Sequence, residues 1–183
     1  MRVGAQLLVM AHRPAPALAS AFLRPELLLA LLLPLGACAR TTSTPEPRVL
    51  PDLAVTTIDD RPMHLAEAIA HRPALIAVWA TWCDACKTEQ AALERLDRAA
   101  APRGGLVVAV SVGESSAQVR ADLSARPRHF LQLIDEPFAL ETAAGVHTLP
   151  TVFVLDSEGR VVHAGGALDH AALAAFRRVL GVD

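Results

Sequence analysis

Two uninterrupted apolar runs, 74–80 (ALIAVWA) and 106–112 (LVVAVSV), restrict what this chain can fold into more than any other feature. A strand with one wet face alternates apolar and polar residues; neither run alternates, so each must be covered on both faces. Residues 84–101 between them carry helical spacing, which makes a βαβ unit with parallel strands. Downstream, 116–125 reads as a helix, 130–134 as a third strand and 137–144 as a short helix. The runs 151–155 (TVFVL) and 160–164 (RVVHA) flank Asp156-Ser157-Glu158-Gly159, a hairpin turn signal. Asp169 is placed to cap a last helix in which Ala172, Leu173, Phe176, Val179 and Leu180 keep helical spacing. Before the first buried run, 53–58, a turn at Asp59-Asp60 and a return over 62–65 form an N-terminal hairpin. The expectation is an α/β fold: a mixed central sheet flanked by helices, with an N-terminal β-hairpin extension, over residues 52–183.

The 183 residues suit one domain of ordinary size, and the 52% hydrophobic content mixes two materials. Leu27 to Leu35 reads LLLALLLPL, preceded by Arg13 and Arg24 and followed by small residues. This apolar segment is shorter than the roughly 20 residues of a membrane span and fits a secretory leader. Leu35-Gly36-Ala37-Cys38 resembles the bacterial lipobox, so 1–37 is expected to be a lipoprotein-type signal peptide, with Cys38 lipidated and 38–51 a flexible tether. Met10 is an alternative start that would shorten the leader, and an uncleaved signal anchor or ordinary cleavage are alternatives to lipidation. Without Arg2, Arg13, Arg24 and Glu26, the remainder carries 14 basic and 18 acidic side chains, which leaves no basic stripe for nucleic acid.

Three cysteines in an exported chain leave one over; lipidation of Cys38 accounts for it and isolates Cys83 and Cys86 as a C-x-x-C pair. The pair lies where a buried strand ends and a helix begins. Free backbone N–H groups and the helix dipole there stabilise a thiolate, which makes Cys83 the expected attacking thiol and Cys86 the resolving one. No second C-x-x-C or paired histidine motif completes a zinc site, so no metal is assigned. With Leu93 as reference, Cys86 falls at about +20° and Glu89 at about −40° around the helix, among Leu96 and Ala100. Glu89 is therefore either a buried acid beside Cys86 or a carboxylate bending out to water. Trp79 is read as core, Trp82 as shielding the disulfide and meeting partners or else simply packing, and Lys87, the sole lysine, as solvated.

The stretch 78–87 (VWATWCDACK) followed by Glu89 resembles the active-site segment of the TlpA/ResA-type thioredoxin-like thiol:disulfide oxidoreductases, which are exported and membrane-tethered. Gly145-Val146-His147-Thr148-Leu149-Pro150-Thr151, with Phe153-Val154-Leu155-Asp156 and Gly159, resembles that family's cis-proline loop. The resemblance implies a thioredoxin-like fold, a cis Pro150 with Leu149 beside the disulfide, a proton-transfer role for Glu89, and no cofactor. Two departures stand out. Asp84-Ala85 replaces a dipeptide that usually contains proline and adds a negative charge beside the thiols, which would make the pair more reducing. Ala77 stands where cytosolic thioredoxins carry a buried aspartate, leaving Glu89 as the only evident acid.

The function expected is that of a lipid-anchored oxidoreductase on the periplasmic side of a bacterial membrane, reducing disulfides of envelope proteins, for example in cytochrome c or metal-site maturation. A membrane electron donor of the DsbD kind would recharge it, and the protein would be a monomer. The rival is a copper chaperone holding Cu(I) through Cys83, Cys86 and His147, against which stand the short cysteine spacing and the lack of a Met-rich segment. A peroxidase reading lacks the expected lone-cysteine context.

Overall fold

The computed structural model of the chain describes residues 48–182. The expected leader, Cys38 and the tether up to residue 47 lie outside the described residues. Seven strands, β1 (Ala54–Thr57), β2 (Pro62–His64), β3 (Ala74–Trp79), β4 (Leu106–Val112), β5 (Leu131–Asp135), β6 (Thr151–Leu155) and β7 (Val161–Gly165), form one sheet in the order β2-β1-β5-β4-β3-β6-β7. The sheet is mixed, as expected: β3 runs parallel to β4 and antiparallel to β6, and the N-terminal hairpin joins it through antiparallel pairing of β1 with β5.

The two apolar runs are β3 and β4, and every residue of both is buried. Their side chains alternate between two separate cores: Ala74, Ile76 and Val78 enter one, Leu75, Ala77 and Trp79 the other. Helices α1 (Leu65–Ile69) and α4 (Ala139–Ala144) cover the first with Leu65, Ile69 and Leu140. The second is closed by α2 (Asp84–Ala100), α3 (Ser116–Ala125) and α5 (His170–Val179), which contribute Leu93, Val119 and Phe176. Each large side chain so buried stabilises the fold by roughly 1.5–3 kcal/mol relative to exposure, and together they hold the C-terminal end of β3, which the cysteines follow, beside that of β4.

Three local features differ from the sequence reading. Helix α1 was not anticipated; it ends through Ala70 and His71 at φ 50° and 55° without glycine, so the usual stop signal is missing. Helix α4 begins at Ala139 rather than Pro137, because Asp135 accepts from the Ala139 and Leu140 amides at 2.8 and 2.9 Å and so fixes the first turn. The packed chain also reaches upstream of residue 52: Leu50 is buried and Val49 bridges Arg160. Asp169 caps α5 as expected, accepting from the Ala172 amide at 2.8 Å.

Candidate active site

Strand β3 ends at Trp79, and Ala80–Cys83 makes a tight turn in which the Cys83 N–H donates to the Ala80 carbonyl at 3.1 Å. Cys83 is the N-cap of α2, and Cys86 lies in its first turn. The two are joined by a disulfide with a Cα–Cα separation of 5.3 Å. The Cys86 N–H points at Cys83 Sγ at 3.1 Å, the helix-terminal donor that the sequence position implied. Both sulfur-bearing residues are nearly covered, at 6% and 2% exposure, whereas Trp82 beside them is 67% exposed.

The second motif is brought to the same end of the sheet because β6 starts opposite the end of β3, with Thr151 paired to Val78. The Leu149–Pro150 peptide bond is cis. Leu149 packs on the apolar cluster that contains Cys83 and Cys86, and Pro150 is half-buried. His147, in the same loop, is exposed, and among the described residues no three His, Cys, Asp or Glu side chains gather into a metal site. The three ligands of the copper reading are therefore not assembled.

Of the two readings of Glu89, the structure favours the inward one. The side chain is half-buried, and its Oε1 accepts from the Leu168 N–H at 2.8 Å, in the loop between β7 and α5. Leu168 itself packs on the cysteine-containing cluster. The carboxyl thus ties the active-site helix to that loop, on the face that carries Cys86 and Leu93.

Two charged neighbours differ from the sequence reading. Lys87 is not free in solvent: its Nζ lies 2.6 Å from Asp84 Oδ1. The hydrogen bond and the charge of Lys87 hold the Asp84 carboxyl below the usual range, so the negative charge next to Cys83 is offset by a cation one turn along the helix. Trp79 is core, as expected, at 1% exposure, with the Arg128 guanidinium 4.2 Å from its ring centroid. Burial, with a smaller push from Arg126, lowers the Arg128 pKa to about 10, against the opposing charge of Glu94.

Sequence reasoning missed a second carboxyl at this end of the sheet. Glu114 is 3% exposed; its Oε2 accepts from the Thr81 N–H and from Ser111 Oγ, each at 2.8 Å, and its Oε1 from Thr81 Oγ1. The available signal was a carboxylate directly after Gly113, at the end of a fully buried strand.

A family profile described as the AhpC/TSA family matches residues 48–164. The thioredoxin-like protein YneN of Bacillus subtilis is 30% identical over 119 residues, covering 63% of this chain and 69% of that protein. The thiol-disulfide oxidoreductase ResA of the same organism is 27% identical over 147 residues, 77% of this chain and 82% of ResA. Among solved structures, a thiol:disulfide interchange protein of the thioredoxin family from Chlorobium tepidum superposes with a TM-score of 0.59 at 21% identity, covering 74% of this chain and 94% of that one. No helix among the described residues is long and apolar enough to cross a membrane.

Proposed function

The chain belongs to the AhpC/TSA family, and its relatives are thioredoxin-like thiol-disulfide oxidoreductases; from that premise we propose that it is an exported, lipid-anchored reductase of disulfides in envelope proteins. The observation that carries the reading is the Cys83–Cys86 disulfide at the start of α2, with the exposed Trp82 next to it in the chain and Leu149 packed on the apolar cluster that holds both cysteines. In the reduced state the Cys83 thiolate attacks one sulfur of a partner disulfide, and the other partner sulfur leaves as a thiolate. A mixed disulfide with Cys83 results. Cys86, deprotonated with the help of Glu89, then attacks Cys83 Sγ; the Cys83–Cys86 bond forms and the second partner thiolate departs. Two electrons have passed to the partner, and a membrane dithiol donor of the DsbD kind restores the pair. Trp82 and Leu149 offer apolar surface for the partner chain, Pro150 shapes the loop beside the sulfurs, and Cys38 holds the domain to the membrane. Cytochrome c or metal-site proteins, whose cysteines must be reduced before loading, are the substrates of choice.

Cys86→Ser tests the reading, because attack survives while resolution does not. With Cys38 intact, Cys83-dependent adducts are expected on washed membranes in non-reducing gels, to vanish with reductant. In a Cys38→Ser background the same adducts should be released into the soluble envelope fraction. Absence of any Cys83-dependent adduct would sink the exchange function; retention of the Cys38→Ser chain on membranes would sink the lipid anchor alone.

A further inference from the structure

We propose that Glu114 is a positioning residue for the attacking thiol: its carboxyl clamps the Thr81-Trp82-Cys83 turn to the end of β4 and so keeps Cys83 aligned with the first turn of α2. The inference rests on the exchange reading above and adds to it a residue outside both motifs.

The clamp follows from the sheet. In the parallel pairing of β3 with β4, Trp79 lies opposite Ser111, so the two strands end side by side. Beyond them the chains part: β3 leads through Ala80 into the cysteine turn, while β4 runs to Gly113, whose φ of 69° is a conformation that favours glycine. Gly113 is held there by its N–H donating to the Asp135 carbonyl at 3.0 Å. The reversal points Glu114 back into the space between the two strand ends, where it is buried at 3% exposure. There it takes three donors. One is Ser111 Oγ from its own strand; the other two, the Thr81 N–H and Thr81 Oγ1, belong to the first central residue of the Ala80–Cys83 turn.

Thr81 therefore has its amide and its hydroxyl both committed to one carboxyl. The next residue is the exposed Trp82, and the one after is Cys83, whose Sγ must face the Cys86 N–H. A turn held at its first central residue by two bonds fixes the direction in which the second, and then the thiol, leave it. Removing the clamp leaves a part-buried amide unsatisfied and lets the turn rotate, which misaligns the thiol with the helix terminus that stabilises its charged form.

A glutamine at 114 can reproduce all three contacts: its oxygen accepts from the Thr81 N–H and Ser111 Oγ, and its amide donates to Thr81 Oγ1, since a hydroxyl also accepts. Alanine can reproduce none. The test uses the full chain purified in detergent from an expressing envelope, reduced, with alkylation followed on the Cys83 peptide by mass spectrometry so that Cys38 does not interfere. Glu114→Ala is expected to slow exchange with a small aromatic disulfide about tenfold and to move the pH midpoint of Cys83 alkylation upward, while Glu114→Gln stays within about twofold of the parent chain. An unchanged rate and midpoint in folded Glu114→Ala would overturn the proposal, as would Glu114→Gln falling as far as the alanine variant, which would assign the effect to charge rather than to the clamp. If Glu114→Ala does not fold, Thr81→Val, which keeps the amide bond and removes the hydroxyl one, decides: an upward midpoint shift supports the clamp and an unchanged one overturns it. Failure of the parent chain to exchange with the disulfide would instead tell against the oxidoreductase reading itself.

Discussion

Replacing Glu89 with glutamine separates the proton-transfer role of this side chain from its structural one. Glutamine keeps an oxygen that accepts the Leu168 N–H, now bonded at 2.8 Å, so the link between α2 and the loop before α5 survives. What is lost is the ability to take a proton from Cys86. The size of that loss has a ceiling set by the thiol. An ordinary thiol with a pKa of about 8.5 is roughly 3% ionised at pH 7 and about 25% at pH 8. Without a base, resolution proceeds through that fraction, so Glu89→Gln is expected to slow release from the mixed disulfide by up to about 30-fold at pH 7 and only about fourfold at pH 8. Initial attack by Cys83 should stay within about twofold, since Glu89 faces the Cys86 side of the helix. Glu89→Ala should show the same kinetics and lose a further 1–2 kcal/mol, roughly, of stability, because the Leu168 amide is left without its acceptor. Stopped-flow mixing with a chromogenic disulfide resolves the two phases. A release rate in Glu89→Gln that matches the parent chain from pH 6 to 8 would refute the base; a deficit that does not shrink with pH would refute the mechanism given for it.

The hairpin between β6 and β7 has its own pH signature. Burial pushes the Asp156 carboxyl up, but hydrogen bonds from Arg160 and Glu158 outweigh it and hold the group below its ordinary value. Because the folded pKa is depressed, the stability it confers is complete above the unfolded value and disappears as pH falls through the folded one; Asp156→Asn should therefore cost about 1 kcal/mol at pH 7 and almost nothing in strong acid, by urea denaturation, and a pH-independent gap would contradict this. For the redox pair, a potential of about −240 mV or lower is expected, nearer thioredoxin at about −270 mV than DsbA at about −120 mV. Lys87→Met, which leaves Asp84 unpaired, should lower it further by no more than about 20 mV in a glutathione titration, and a rise would reverse the sign argued for these charges.

What the sequence disclosed was what depends on periodicity and on neighbours along the chain. The unbroken run 74–80 had to be central because no alternation spared a face for water, and it is, with residues pointing alternately into two cores. The cysteine pair at the junction of strand and helix and Asp169 as the cap of α5 followed from local position. Contacts between distant segments were not legible from periodicity or local position; the one that was expected, Leu149 beside the cysteines, came from the family resemblance. Nothing near Glu89 announces that its acceptor role is toward Leu168, 79 residues away, and nothing near Glu114 announces Thr81, 33 residues earlier. Both depend on which strand ends the sheet order places side by side. Helix α1 escaped because it is only five residues long, with no side-chain cap at its start and alanine and histidine rather than glycine at its left-handed exit.

Sequence position alone put the negative charge of Asp84 beside the thiols; the packed structure divides the acids by what each is bonded to. Asp84, 91% exposed in its side chain, is turned outward to Lys87, so its field at Cys83 is opposed by a cation and screened by water. Glu89 and Glu114 are both drawn inward, one bonded to the loop that follows β7 and the other to the turn that precedes Cys83. A carboxyl on the Cys86 face of α2 is placed to act after the mixed disulfide has formed, when the resolving thiol must ionise. A carboxyl bonded to Thr81 is placed to act before it, on the orientation of the attacking thiol. The principal electrostatic stabilisation of the Cys83 thiolate then comes from the helix itself, through the Cys86 N–H at 3.1 Å. That donor is backbone, so substitutions of the three acids should change when and how the sulfurs react far more than whether the C-x-x-C pair closes.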